Sequence, residues 1–186
     1  YTIYRTDRVS GRGGGVLLAV KSNLLSHMIH VDSNLETCWV SLECTHPPVL
    51  VGVCYRPPQA NREFATIFHN GTASLINRFP RHHLLILGDF NYPNIDWTSS
   101  EPHGTSTDDK NFVELCLTLN LTQMILSATR NPPFAPHTLD LLLTSPPEIL
   151  NNLSIDDGLS DHCIITARMT IPRTNRSTSV KRILLY

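Results

Sequence analysis

The sequence predicts an α/β domain in which β-sheets pack face to face and helices lie on their outer sides. The chain has 186 residues, a length that suits one domain rather than two. Hydrophobic residues make up 41% and charged residues 17%, so the chain can form a packed core. Short apolar runs typical of strands also outnumber the longer patterns typical of amphipathic helices.

The first half of the chain contains strand-like segments followed by a helical pattern. Three glycines, Gly13 to Gly15, precede an apolar strand at 16–20, and further strands are predicted at 37–42 and 49–55. Because a strand rather than a helix follows the glycines, they do not indicate a P-loop or a dinucleotide-binding turn. The helix that follows places these apolar residues on one face: Phe64, Ile67, Phe68, Leu75, Ile76 and Phe79.

The second half is predicted to contain a deeply buried strand, a second helix and two closing strands. The run at 84–87 is wholly apolar, which is typical of a strand buried on both faces. A helix begins near Thr107, and the closing strands lie near 139–143 and 163–169. Three prolines within residues 131–136 predict a stiff loop.

The charge distribution defines the expected domain boundary. The formal net charge of −1 does not by itself indicate a nucleic-acid-binding protein. After His162, however, the chain has basic residues and no acidic ones. We therefore predict a domain over 1–170 and a basic linker over 171–186, which either contacts phosphate or is simply solvated. The basic residues are Arg168, Arg173, Arg176, Lys181 and Arg182.

The cysteines and the hydropathy pattern exclude several classes of protein. The 5 cysteines are scattered and never have C-x-x-C spacing, which argues against a zinc site and against a secreted disulfide framework. No apolar run approaches the roughly 18 residues that a membrane span needs. We therefore expect an intracellular protein that has no membrane partner.

The sequence GDFN, at 88–91, is the sharpest candidate for chemistry. An apolar strand leads directly into Asp89 and Asn91, and residues two apart on an extended chain point to the same side. The carboxylate can therefore accept a proton while the amide donates a hydrogen bond beside it. The alternative is a turn that caps the strand, because Asp and Asn favour turns.

A second candidate combines Ser160, Asp161 and His162 with Asp140. Asp140 is embedded in an apolar run, where an unpaired carboxylate is unfavourable, and His162 is its obvious partner. Such a pair would fix the imidazole tautomer and raise its pKa, so that it could contact a phosphate oxygen at neutral pH. A histidine that only satisfies a loop is the alternative.

A third candidate is the pair Tyr55 and Arg56, which follows an apolar strand. A phenol and a guanidinium at a strand end are natural donors to phosphate. The alternative is a rigid turn, made by Pro57 and Pro58, with an exposed arginine.

In this order, the GDFN, Thr-Leu-Asp, Ser-Asp-His and Tyr-Arg-Pro-Pro clusters resemble the endonuclease/exonuclease/phosphatase superfamily. The segments at 4–8, 13–20, 36–40, 129–130 and 139–147 resemble more closely the endonuclease of non-LTR retrotransposons. The resemblance implies a four-layer sandwich of two packed mixed β-sheets flanked by helices. It also implies that one or two core strands would precede Tyr1.

The resemblance assigns a role to each matching catalytic residue. Asp89 would orient or deprotonate the attacking water, and Asn91 would help to hold the water and the phosphate. Asp140 would orient His162, which would bind the scissile phosphate, and Tyr55 would donate to the same phosphate.

The resemblance also implies a metal, Mg²⁺ or Mn²⁺, and a DNA-contacting surface. Asp161 would be a metal ligand or would support the site. The family's Asn and metal-binding Glu are expected before Tyr1, and neither Glu36 nor Glu43 replaces them. The residues expected on the DNA-contacting surface are Thr129, Arg130, Ser160 and Arg56.

The implied function is metal-dependent nicking of DNA for target-primed reverse transcription, with a fused reverse transcriptase after Tyr186 and a nuclear site of action. Without the Asn and Glu, this activity is expected to be impaired. Two alternatives stay open: a phosphatase of the same superfamily acting on inositol phosphates or lipids, and a non-catalytic remnant that binds nucleic acid.

Overall fold

The computed structural model describes residues 1–8, 13–130, 136–158, 160–171 and 179–185. The strands are β1 (Thr2–Asp7), β2 (Gly15–Val20), β3 (Ser26–Ile29), β4 (Glu36–Leu42), β5 (Val49–Tyr55), β6 (His83–Asp89), β7 (Ile95–Asp96), β8 (His103–Gly104), β9 (Thr122–Gln123), β10 (Asp140–Ser145), β11 (Leu150–Asp156), β12 (Ile164–Ile171) and β13 (Ser179–Leu185). The helices are α1 (Phe64–Arg78) and α2 (Thr107–Thr118), with a 3₁₀ turn at Pro147–Ile149.

A mixed sheet forms the centre of the described structure. Its strand order is β3-β4-β5-β6-β10-β9. Strands β5 and β6 are parallel, and α1 connects them as a crossover, whereas the other pairs are antiparallel. Consequently β5 and β6 both end at the edge of the sheet where β10 begins, and this edge carries the candidate site.

The two faces of the central sheet are buried differently. Alternate residues of β6 enter separate cores, with Ile86 on the helix side and Leu85 on the opposite side. On the helix side, Phe68 of α1 and Phe112 of α2 pack on the sheet. The opposite face packs against residues of β2 and β12, which belong to a second layer made of the β1-β2 hairpin and the β11-β12-β13 sheet.

This architecture confirms the predicted α/β sandwich of packed sheets with helices outside, and the apolar segment 84–87 is buried on both faces as predicted. Helix α2 begins where expected because Ser106 and Asp109 form a reciprocal capping box. No helix in the described part of the chain is long and apolar enough to cross a membrane.

Several elements differ from the sequence prediction. Strand β11 was not predicted, because its sequence is mostly polar and exposed residues alternate along it. The prediction of a linker over 171–186 is also wrong in part, because Ser179–Leu185 forms β13, which pairs antiparallel with β12. The stiff loop predicted at 131–136 falls, apart from Pro136, outside the described residues, as does 172–178.

Candidate active site

Four polar side chains form a row across adjacent strands of the central sheet. In the strand register, Glu36 lies opposite Tyr55, Tyr55 opposite Asp89, and Asp89 opposite Asp140. Residues opposite one another project from the same face of a sheet. The row therefore lies at the end of the inter-sheet core, two positions beyond Leu87 on β6.

The GDFN segment holds Asp89 and Asn91 in contact. The Asn91 backbone N–H donates to Asp89 Oδ1 at 3.1 Å, and its side-chain amide donates to Oδ2 at 2.9 Å. Asn91 adopts φ 49°, a left-handed conformation that asparagine tolerates better than most residues. Gly88 is required as well, since a Cβ there would lie 1.8 Å from the Cys54 carbonyl oxygen. The two interpretations of this segment, a turn that caps the strand and a carboxylate–amide pair, therefore describe the same arrangement of Asp89 and Asn91.

The environment of Asp89 changes its acidity. Burial, followed by the charge of neighbouring Asp140, raises the pKa of Asp89 to about 6. His162 and the two hydrogen bonds from Asn91 oppose that rise in pKa. A carboxylate with this pKa is ionised at neutral pH and more basic than an ordinary aspartate, which suits a general base.

His162 and Asp140 form the hydrogen-bonded pair that the sequence predicted. The distance from His162 Nδ1 to Asp140 Oδ2 is 2.8 Å. Burial alone would lower the pKa of His162, but the hydrogen bond and charge of Asp140, with Asp89 and Asp161, outweigh it and raise that pKa. With Nδ1 bound to Asp140, Nε2 is the ring atom available to a substrate.

Asp161 is bound to Arg130. Arg130 Nε and Nη2 both lie 2.8 Å from Asp161 Oδ2, and about a third of each side chain is exposed. The hydrogen bond from Arg130 is the main cause that lowers the pKa of Asp161. Ser160 is exposed beside this pair, and its hydroxyl accepts a hydrogen bond from the His162 backbone N–H at 3.2 Å.

Thr129, which was predicted to lie on the DNA-contacting surface, has a fully buried side chain. Its hydroxyl accepts hydrogen bonds from the backbone N–H groups of Leu139 and Asp140, at 3.1 and 3.0 Å. Its carbonyl accepts from the Cys163 N–H at 2.8 Å. Thr129 therefore fixes the start of β10 against the segment that carries His162.

Arg56, also predicted to contact DNA, is buried too, which contradicts the alternative of an exposed arginine. Its Nη1 donates to the Asn91 carbonyl at 2.9 Å, and its Nη2 donates to Asp108 Oδ2 at 2.7 Å. The guanidinium also lies 4.0 Å from the centre of the Tyr92 ring. Arg56 thus connects the GDFN segment to the first turn of α2.

Sequence reasoning missed Asp108, Arg8 and the position of Glu36 in the polar row. In the sequence, Asp108 could be explained simply as an acidic residue that favours the start of a helix, so nothing indicated its contact with Arg56. Glu36 could have been found, because it shares the period-2 pattern of Cys38 and Val40 on the buried face of β4. Arg8 binds Glu36 and lies over the ring of Tyr55.

The acidic groups at the site do not by themselves form a divalent-cation site. Among residues 1–8, 13–130, 136–158 and 160–171, no group of three or more His, Cys, Asp or Glu side chains is placed to hold a metal. Each carboxylate of the site already has a protein partner: Glu36 binds Arg8, Asp89 binds Asn91, Asp140 binds His162, and Asp161 binds Arg130.

Solved structures share this fold. The endonuclease domain of TRAS1, a telomere-specific non-LTR retrotransposon, superimposes with a TM-score of 0.71 at 12% identity, covering 92% of this chain and 81% of that one. The 3′ phosphatase NExo from Neisseria, solved with a product DNA hairpin, gives 0.55 at 16% identity, covering 77% and 70%. At these identities the likeness establishes the fold alone.

Sequence comparison places the chain in a family. No curated protein sequence matches it. The sequence model of a family described as endonuclease-reverse transcriptase matches residues 49–166, which include Tyr55, Asp89, Asp140 and His162. The match spans more than half of the chain and agrees with the endonuclease/exonuclease/phosphatase fold, so the chain belongs to the endonuclease-reverse transcriptase family.

Proposed function

We propose that this domain hydrolyses one phosphodiester bond of DNA, in the manner of a retrotransposon endonuclease. The observation that carries the proposal is the contiguity of Asp89, Asp140 and His162. Asp89 and Asp140 lie opposite each other on adjacent strands, and Asp140 binds His162 at 2.8 Å. This arrangement offers a base and a hydrogen-bond donor on one side of the sheet.

Asp89 is the group that accepts a proton from the attacking water. With a pKa of about 6 it is mostly ionised at neutral pH, and Asn91 keeps the carboxylate in place. As the water oxygen bonds to phosphorus, its proton passes to Asp89, and the bond to the 3′ oxygen breaks. The leaving oxygen takes a proton from solvent, which produces a 3′ hydroxyl.

His162 and Tyr55 act on the phosphate rather than on the water. Asp140 raises the pKa of His162 and so favours the imidazolium, whose Nε2 donates to a phosphoryl oxygen. The Tyr55 hydroxyl donates to the same phosphate. Both interactions strengthen as negative charge develops, which is the condition for catalysis rather than mere binding.

The proposal includes Mg²⁺ or Mn²⁺. Such an ion, when bound, neutralises charge on the phosphoryl oxygens. Asp161 is the proposed ligand among the described residues, and it would have to exchange its contact with Arg130. The family's upstream Asn and Glu would supply the ligands that the described carboxylates lack.

DNA is the proposed substrate, with Arg130 and Ser160 on the contacting surface. The TRAS1 domain is described as an endonuclease, and NExo was solved with DNA, which favours DNA over inositol phosphates and lipids. By extension, the parent protein would carry a reverse transcriptase, use the nick as a primer site, and act in the nucleus.

Plasmid nicking tests this proposal. The 186-residue chain, and the same chain with the family's amino-terminal segment grafted before Tyr1, are incubated with supercoiled plasmid in Mg²⁺ or EDTA. We expect weak nicking by the chain alone and an increase of orders of magnitude, dependent on Mg²⁺, in the grafted form. The matched control is Asp89→Ala in the grafted form.

One outcome would revise only the proposed metal ligands, and two others would count against the proposed function. Robust nicking by the chain alone would show that its own carboxylates suffice for metal binding. DNA binding without nicking in the grafted form would favour a non-catalytic binding domain. Phosphate release from inositol phosphates, without nicking, would favour a phosphatase.

A further inference from the structure

The side chain of Arg8 occupies a defined position beside Tyr55. Its guanidinium carbon lies 5.5 Å from the centre of the Tyr55 ring. The same guanidinium grips Glu36 with two hydrogen bonds, Nε to Oε1 at 2.7 Å and Nη2 to Oε2 at 3.2 Å. About a third of the arginine side chain is exposed, compared with 14% of the glutamate.

Separate segments of the chain combine to make this contact. Glu36 lies on β4 directly opposite Tyr55 on β5, and the Gly15 N–H donates to Glu36 Oε2 at 3.0 Å. Gly14, at φ 90°, leaves room for the arginine, since a Cβ there would lie 2.4 Å from Arg8 Cζ. The glycines at 13–15, which do not form a phosphate-binding loop, therefore leave the space in which the Arg8 side chain lies.

A second arginine–carboxylate pair, on the strand that ends just before Arg8, shows how different this arrangement is. Arg5 and Asp7 of β1 form an ion pair at 3.1 Å in which both side chains are 66% exposed. Exposed pairs of that kind contribute little to stability. The Arg8–Glu36 pair is less exposed and bidentate, and its guanidinium lies over the Tyr55 ring. It therefore restrains the side chains of Glu36 and Tyr55.

We propose that Arg8, held by Glu36, is a positioning residue for Tyr55. The guanidinium fixes the Tyr55 ring and places a positive charge beside the phenol, so that the hydroxyl is oriented towards the phosphate and is a stronger donor. This inference rests on the proposed function, in which Tyr55 contacts the scissile phosphate.

A double-mutant cycle on single-turnover plasmid nicking tests the coupling, using the grafted form described above. Arg8→Gln lowers the nicking rate of bound DNA by about tenfold, and Glu36→Gln lowers it less. In a Tyr55→Phe background, Arg8→Gln has no further effect, because the hydroxyl that it positions is gone. Arg5→Gln is the matched control and leaves the rate unchanged.

Other outcomes overturn the proposal. If the effects of Arg8→Gln and Tyr55→Phe multiply, or if Arg8→Gln changes only DNA affinity and its salt dependence, Arg8 is a phosphate ligand in its own right. An unchanged rate in Arg8→Gln rules out any role. Should Arg8→Gln fail to fold, Arg8→Lys replaces it in the cycle, because lysine keeps the charge but not the two-pronged contact.

A measurement without DNA separates this inference from the proposed function. In the 186-residue chain, the NMR resonances of a labelled Tyr55 ring should shift in Arg8→Gln and in Glu36→Gln but not in Arg5→Gln. If those shifts occur in a protein whose grafted form never nicks DNA, the contact stands and the proposed function fails. Unchanged Tyr55 resonances in Arg8→Gln would overturn the positioning role whatever the activity.

Discussion

The candidate site is assembled from two regions that are held in very different ways. Tyr55, Asp89 and Asp140 belong to three neighbouring strands whose register fixes their positions. His162 lies in a segment whose contacts include an isolated bridge to Arg130, the hydrogen bond from the Cys163 N–H to the Thr129 carbonyl, the Arg130–Asp161 pair and its own bond to Asp140. The positions of Tyr55, Asp89 and Asp140 are therefore fixed by strand pairing. The position of His162 depends on contacts that can change without unfolding the sheet.

The largest expected effects arise from removing one residue of each region. In the grafted form, Asp89→Ala and His162→Ala should each lower single-turnover nicking by about a thousandfold or more, because both groups act mostly in the transition state. DNA affinity should stay largely intact, since it comes from many phosphate contacts spread over the surface. Nicking by His162→Ala at the unmutated rate would remove His162 from the mechanism.

The two regions should differ most in stability. Arg56→Gln removes the buried partner of Asp108, whose side chain is only 19% exposed, so we expect a loss of about 3 kcal/mol in the free energy of unfolding. Arg130→Gln breaks a pair in which about a third of each side chain is exposed, so the loss should stay below about 1 kcal/mol. Urea unfolding of both variants measures the difference, and equal losses would contradict this division of the molecule.

The pH dependence of nicking should report both regions separately. Activity should rise with pH and reach half its maximum near pH 6, as Asp89 ionises. It should fall again at higher pH as His162 loses its proton. Asp140→Asn should move the alkaline limb to lower pH by more than the acid limb, because Asp140 raises the pKa of His162 by a hydrogen bond and its charge but the pKa of Asp89 by its charge alone. A profile of kcat/KM between pH 5 and 9 checks both limbs, and an acid limb that shifts equally in Asp140→Asn would contradict the assignment.

Asp89 also makes a specific contribution to stability. Its pKa is raised from 3.8 to about 6 on folding, so between these values the folded chain binds more protons than the unfolded one. The free energy of unfolding should therefore fall as pH rises from about 4 to 6, the opposite of the usual aspartate behaviour. Urea unfolding at pH 4.5 and 7 should show this dependence in the parent chain, and Asp89→Ala should weaken it.

The same comparison explains what could be predicted from the sequence. Asp89, Asn91 and the Asp140–His162 pair were predictable because strand periodicity and the unfavourable burial of a lone carboxylate are local signals. Arg56 and Thr129 were assigned to the surface because their burial depends on Asp108 and on the Leu139 and Asp140 amides, which lie 10 to 52 positions away. Strand β13 was missed because basic composition indicates solvation but does not prevent strand pairing.

The smallest expected effect concerns Arg130, which is partly exposed and pairs with His162 in an isolated bridge. Arg130→Ala should weaken DNA binding only a few-fold and reduce the salt slope of binding by about one, because it removes a single phosphate contact. The nicking rate of bound DNA should change less than in Asp89→Ala. Arg78, exposed at the far end of α1, is the matched control, and Arg78→Ala should change neither quantity. Because Arg130 also holds Asp161, a larger loss in rate than in affinity would instead mean that Arg130 acts through the Asp161–His162 segment, and the weakly held region would then be the one that limits catalysis.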